Sequence, residues 1–236
     1  MADCEPTADR FMDLTVPEYA YMFGFLQADG HLRQGAGNKG RLSVEINVRD
    51  LDLLRAFQRL TPYNSSITER IRSTNFAERS HTAIWTLCSL EARTTINRLG
   101  LPYGRKSMTI SPPECAFSRR DYLRGVVDAD GSVGHTGQGW PFVSENAQKL
   151  AADLYYDGCL SLDRKKAAAD TLKTWVRPVG MRVAPPRRRW TAWEDRVLLR
   201  LNDDAAAAKE LGRTRKSCAI RLWRLRNGQA PMPSAR

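Results

Sequence analysis

The chain has 236 residues, 42% of them hydrophobic, enough to bury a core in one large domain or two smaller ones. Basic residues outnumber acidic ones by 37 to 26, and the excess is local: residues 177–236 hold 15 basic and 5 acidic side chains, net +10, which leaves net +1 for residues 1–176. No run approaches the ~18 apolar residues of a membrane span, and the opening MADCEPTADR lacks an apolar leader core, so a cytoplasmic protein without a membrane partner is expected.

In chain order, Thr15-Val-Pro-Glu18 has the form of a capping box with proline in the first turn, and the apolar run YMFGFLQADG that follows predicts a helix stopping at Gly30. Arg41 to Arg49 alternates strictly, with Leu42, Val44, Ile46 and Val48 on one side and Arg41, Ser43, Glu45, Asn47 and Arg49 on the other, the pattern of a half-buried antiparallel strand. Residues 34–40 are glycine-rich and would be its hairpin loop, with the preceding strand beginning near His31. A helix is predicted at Leu51–Leu60, a second hairpin at Ser66–Ser73 and Thr82–Leu87, and a closing helix at Leu90–Leu99. The order is helix, two strands, helix, two strands, helix.

Ser118-Arg-Arg-Asp121 then opens YLRGVVDADG, which repeats the first apolar run 101 positions later and ends at Gly131. In each copy two small residues four apart, Gly24 with Ala28 and Gly125 with Ala129, share a helix face and permit a close helix pair. Pairing would make neighbours of Asp29 and Asp130. Two carboxylates forced together repel unless a cation neutralises them, and hard oxygen ligands suit Mg²⁺. Histidine or thiol metal chemistry is not indicated: His31, His81 and His135 form no His-Glu-x-x-His cluster, and Cys4, Cys88, Cys115, Cys159 and Cys218 are scattered reduced thiols.

The second repeat is shorter than the first. Residues 134–139 read as a hairpin loop, Trp140–Ser144 as its return strand and Asn146–Gly158 as a closing helix, while Asp163-Arg-Lys-Lys166 echoes Gly104-Arg-Lys-Ser107. Gly30 to Gly100 spans 70 positions but Gly131 to Gly158 only 27, so about 43 residues, a central helix and a hairpin, have no counterpart. The sheet would then be left with an exposed edge.

Residues 177–189, punctuated by proline and glycine and ending in arginines, read as a linker. Three short helices fit residues 190–228, with Thr191 and Glu194 capping the first and Gly212 turning between the second and third. In the third, Cys218, Leu222 and Leu225 form a core face, Arg221 and Arg224 point elsewhere, and Arg213, Arg215 and Lys216 crowd its N-terminal end, as in a recognition helix. The concentrated positive charge favours a polyanion, with nucleic acid the usual partner.

The two runs AYMFGFLQADG and DYLRGVVDADG resemble the paired motifs of LAGLIDADG homing endonucleases in their single-chain form. The resemblance implies an α+β fold: one αββαββα half at 1–110, whose sheet lies like a saddle on the major groove, and a truncated second half at 111–176. It implies that Asp29 and Asp130 are catalytic and bind Mg²⁺ or Mn²⁺ at the scissile phosphates. Gln27 departs from Asp128 at a position that is not the catalytic acid. Arg41, Asn47, Arg49, Arg70 and Arg72 would contact bases and phosphates, Asp50 would orient water, and Lys106 would contact phosphate. The W-T-x-x-E-D start at Trp190 and the L-G-R-T ending at Leu211 resemble Myb/SANT-like helix-turn-helix modules, which makes Arg213, Arg215, Lys216, Arg221 and Arg224 DNA contacts. A site-specific endonuclease of double-stranded DNA, of intron or mobile-element type, is expected, acting as a monomer, or as a dimer if a second copy completes the saddle. The alternative is a non-cleaving DNA-binding regulator that kept the fold; the shortened second half favours it.

Overall fold

The computed structural model describes residues 6–74, 77–133, 145–176 and 188–233. The protein is α+β, and the chain divides into two compact units, Met1–Arg177 and Pro178–Arg236.

The first unit is built around α1 (Pro17–Asp29), in which Tyr19 through Gln27 are all buried. A helix apolar on every side belongs inside a domain, and α1 has neighbours all round. The expected capping box does not form. Val16 is the N-cap, and Thr15 turns back to Asp13, donating from its amide (3.0 Å) and hydroxyl (2.6 Å) to Asp13 Oδ1. Ser118 likewise donates to Asp121 rather than capping a main-chain amide. Gly30 (φ −68°) and Gly131 (φ −79°) are extended, not left-handed caps. Glycine is needed there for space: a Cβ would lie 2.5 Å from Leu26 O at Gly30 and 2.7 Å from Val127 O at Gly131.

Strands β1 (His31–Arg33), β2 (Arg41–Asn47), β3 (Ser65–Thr74) and β4 (Ala77–Leu87) make an antiparallel sheet of order β1-β2-β4-β3. Its register puts Leu42 opposite Leu87, Val44 opposite Trp85 and Ile46 opposite Ala83 on the core side, with Ser43, Glu45 and Asn47 facing away. β2 ends two residues before the alternation does. Asn47 Oδ1 accepts from Arg49 N (3.0 Å) and starts a 3-10 turn over Val48–Asp50, so Arg49 sits off the strand. Helices α2 (Leu51–Leu60) and α3 (Leu90–Arg98) complete the half, and edge-on contacts of Phe57 with Phe25, Tyr21 and Trp85 tie α2 to α1 and the sheet.

α4 (Arg119–Asp130) packs along α1. It is followed by α5 (Glu145–Leu154) and by α6 (Asp163–Leu172), a helix the sequence reading did not predict; Ala151, Leu154, Tyr155, Ala169 and Leu172 form their shared core. The hairpin expected at 134–144 lies outside the described residues, as does linker segment 177–187. Among the described residues, the second repeat contributes helices and no strand.

In the second unit, α7 (Ala192–Leu201), α8 (Asp204–Leu211) and α9 (Arg215–Arg226) enclose Leu198, Ala207, Leu211, Cys218, Leu222 and Leu225. The Thr191/Glu194 capping box is present, and Gly212 (φ +60°) takes the left-handed turn before α9. Glu194 is buried, and hydrogen bonds from Arg213 hold its carboxyl down at about 2. A depressed carboxylate stabilises the fold above its unfolded pKa of ~4.5 and loses that contribution as pH falls toward 2, on the order of 2–3 kcal/mol. Hydrogen-exchange protection within Ala192–Leu201, taken relative to the intrinsic rate at each pH, is therefore expected to fall across that window, and Glu194→Gln to flatten the dependence; protection independent of pH in the wild type would contradict the pairing.

Candidate active site and nucleic-acid interface

The site begins with two glycines. A Cβ on Gly24 would lie 2.2 Å from Tyr122 O, and one on Gly125 2.1 Å from Tyr21 O and 2.8 Å from Phe25 N. The backbones of α1 and α4 touch, with side-chain volume excluded at the crossing. Around it, polar bonds cross in matched fashion: Tyr21 Oη donates to Asp128 Oδ2 and Tyr122 Oη to Gln27 Oε1, both at 2.7 Å. Gln27 Nε2 then donates to Gly100 O and Ser111 O (3.1 Å each), while Asp128 also accepts from Tyr155 Oη (2.6 Å) and Leu162 N (2.7 Å). Burial raises Asp128 above the ordinary carboxylate range, against those hydrogen bonds. Gln27 and Asp128 thus fill equivalent places in the helix interface. Their difference is accounted for by different local partners.

From this crossing the helices run to Asp29 and Asp130, exposed at their last turns, with the partly buried Ala28 and Ala129 just before them. The carboxylates are close enough to interact. Partial burial raises the pKa of Asp29 first and the charge of Asp130 adds to it, while Lys106 and Lys165 pull it back. A cavity of about 420 Å³ opens here, lined by Gln27, Ala28, Lys106, Ser111, Tyr122 and Asp130 among others.

The two lysines occupy matching positions. Lys106 Nζ donates to Leu26 O (3.4 Å), Gly30 O (2.6 Å) and Ala28 O, and Lys165 Nζ to Val127 O (2.7 Å), Asp128 O (2.6 Å) and Gly131 O (2.8 Å). Burial lowers both ammonium pKa values, opposed by the acids: Asp29 and Asp130 for Lys106; Asp128, Asp29 and Asp50 for Lys165. Lys106, expected to contact phosphate, caps the last carbonyls of α1, where partial negative charge collects. Lys165 was missed as a site residue, although the Arg-Lys echo at 105–106 and 164–165 was its signal. Lys165→Met would remove the ammonium from Asp128 O and Gly131 O, Val127 O keeping the Gly131 amide (2.9 Å), and is expected to destabilise the first unit by about 2 kcal/mol, seen as a lower denaturant midpoint. An unchanged midpoint would show that the carbonyls do not need the ammonium.

Asp50 stands at the start of α2, where Arg164 Nε reaches both its oxygens (3.1 and 3.3 Å) and Arg49 lies 3.8 Å away. On the outer strand face, Arg70 Nη2 donates to both oxygens of Glu45 (2.8 and 3.0 Å), Arg72 Nη2 to Oε1 (3.2 Å) and Thr82 Oγ1 to Oε1 (2.7 Å). Burial pushes Glu45 up, but the bonds from Thr82 and Arg70 outweigh it and its carboxyl sits below the usual range. Arg70 and Arg72, expected to contact bases and phosphates, are also shared with an acid, because cross-strand register brings β2 and β3 within reach of one another over β4. Asn47 is engaged in the 3-10 turn. Arg41 at the strand start and Arg49 in the turn remain exposed, Arg49 by 64% of its side chain.

The second unit divides its arginines likewise. Arg213, whose side chain is 8% exposed, binds Glu194 (2.8 and 2.9 Å), donates to Arg188 O and Arg189 O, and lies 3.9 Å over Trp190. Arg221 pairs bidentately with Asp195 (2.8 and 2.6 Å), and Arg215 with Asp204 (2.8 Å). Arg213 and Arg221, expected as DNA contacts, brace the fold internally: buried Glu194 and Asp195 require counter-charges. Of the five cations expected as DNA contacts in this unit, Lys216 and Arg224 make no ion pair among the described residues.

No family model matches this chain, and no curated protein matches it. Among solved structures it is similar to the homing endonuclease I-WcaI bound to its DNA recognition sequence, with 14% identity and a TM-score of 0.36, over 50% of this chain and 52% of that one. This chain thus spans about half the length of that structure's chain.

Proposed function

We propose that the first unit is a divalent-metal-dependent DNA endonuclease of the LAGLIDADG homing type, hydrolysing phosphodiester bonds in duplex DNA, and that the second is a Myb/SANT-like DNA-binding module. The observation that carries this reading is the backbone contact of α1 and α4 at Gly24 and Gly125, which sets Asp29 beside Asp130. The donor set fits Mg²⁺ or Mn²⁺: two adjacent carboxylates at an exposed rim, with neighbouring carbonyls already taken by Lys106 and Lys165. Among the described residues no cluster of three or more His, Cys, Asp or Glu side chains forms a closed cage, so phosphate oxygen and water would complete the coordination. A bound ion supplies Lewis-acid polarisation at the scissile phosphate. Asp29 and Asp130 hold and orient it. Lys106 and Lys165 fix the helix ends and place positive charge near the phosphodiester, and Asp50, itself held by Arg164, orients the attacking water. Arg41 at the start of β2 and Arg49 in the turn after it engage the DNA backbone, with Arg70 and Arg72 contributing from the outer strand face through their shared pairing on Glu45.

The runner-up is a DNA-binding regulator without cleavage. It is favoured by Lys106 and Lys165, whose charges offset part of the repulsion within the acid pair, and by the single sheet among the described residues. Incubating the full chain and Mg²⁺ with a plasmid library of candidate sites separates the two. Nicked or linear products that vanish on chelation support the nuclease, whereas retarded but intact DNA overturns it in favour of the binder.

A further inference from the structure

With Arg213, Arg215 and Arg221 committed to acids, α9 keeps one outward face. Lys216, Ile220, Trp223 and Arg224 share it by helical spacing; Ile220 is 45% and Trp223 54% exposed. Lys216, Ile220 and Arg224 also line a groove of about 620 Å³ with Arg188, Arg189 and Trp190. An apolar centre flanked by cations that make no ion pair among the described residues, on a segment of net charge +10, fits a partner that is anionic at its edges and apolar between them. The DNA major groove is such a surface, with phosphates on its rims and the thymine methyl as its apolar group. Lys216 and Arg224 are eight residues apart, ~12 Å along a helix, and the groove is about 12 Å wide.

We propose that α9 reads thymine: Ile220 and Trp223 pack on 5-methyl groups in the major groove while Lys216 and Arg224 hold the flanking phosphates. This rests on the DNA-binding reading of the second unit and adds what that unit recognises. It also moves sequence reading from the arginines to two apolar side chains.

The test starts from duplexes that the full chain selects out of a randomised pool. Replacing selected thymines singly by deoxyuridine removes only the methyl group, and about a fourfold loss of affinity is expected per contacted methyl. Ile220→Ala and Trp223→Ala should each bind more weakly and lose the distinction between thymine and uracil at one position. Lys216→Gln and Arg224→Gln should weaken all duplexes alike, each lowering the salt slope by about one. Wild-type thermal melts in all four variants confirm that the fold is retained. Binding indifferent to the methyl groups, or a uracil penalty that persists in both apolar variants, overturns thymine reading but not DNA binding. Unchanged duplex affinity in both apolar variants also overturns it and assigns the face to a protein partner. Failure of the full chain to retain any duplex overturns the DNA-binding reading itself.

Discussion

Gly125→Ala is expected to destabilise the first unit by about 3–5 kcal/mol, a large part of the 5–15 kcal/mol that holds a typical domain together. The added methyl would meet Tyr21 O at 2.1 Å and Phe25 N at 2.8 Å, both backbone atoms that no rotamer change can move. Relief requires α1 and α4 to separate, which loosens the Tyr21–Asp128 and Tyr122–Gln27 bonds together. Gly24→Ala should cost as much, since its methyl would meet Tyr122 O at 2.2 Å. Gly104→Ala is the control: its φ of +77° carries a strain of about 1–2 kcal/mol, but nothing lies within 4 Å. Urea unfolding of the full chain measures all three. A Gly125→Ala midpoint no lower than that of Gly104→Ala would show that the helices do not touch, and the juxtaposition of Asp29 and Asp130 would fall with that contact.

Asp29→Asn and Asp130→Asn are expected to reduce metal-dependent cleavage by about three orders of magnitude, the scale of losing a group that acts on transition-state charge. Duplex affinity should change little, because the strand face and the second unit lie outside the substitution. Stability in metal-free buffer should hold or rise: the charge of Asp130 already disfavours ionisation of Asp29, and an amide removes that repulsion. Lost cleavage with an intact melt and intact binding is thus the signature of an acid pair that serves chemistry. Cleavage that survives both substitutions would place the reacting centre elsewhere.

Much of this arrangement is legible in one dimension. The αββαββα order follows from periodicity, since burial on one face imposes a spacing of 3.6 or 2 on the residues themselves. The repeated Gly-x-x-x-Ala-Asp-Gly ending marks both the helix contact and its acids, because a backbone crossing admits only small side chains and its record stays in the residue types. Less legible were the helix starts. Thr15 and Ser118 have the right neighbours for capping boxes, yet Asp13 and Asp121 compete for the same hydroxyls, and composition does not rank acceptors of similar proximity.

By itself the sequence determined the helix pair, the first sheet, the three-helix core and the two carboxylates at the motif ends, all features specified by local pattern and residue size. Tertiary structure alone decided what each cation does. Lys106 and Lys165 turn onto helix carbonyls, Arg70 and Arg72 share Glu45, and Arg213 and Arg221 neutralise Glu194 and Asp195, leaving Ile220 and Trp223 on the open face. The reason is that a long charged side chain is compatible with solvent, an ion pair or a helix end alike, and which it meets depends on elements far away in the chain that folding brings within its reach.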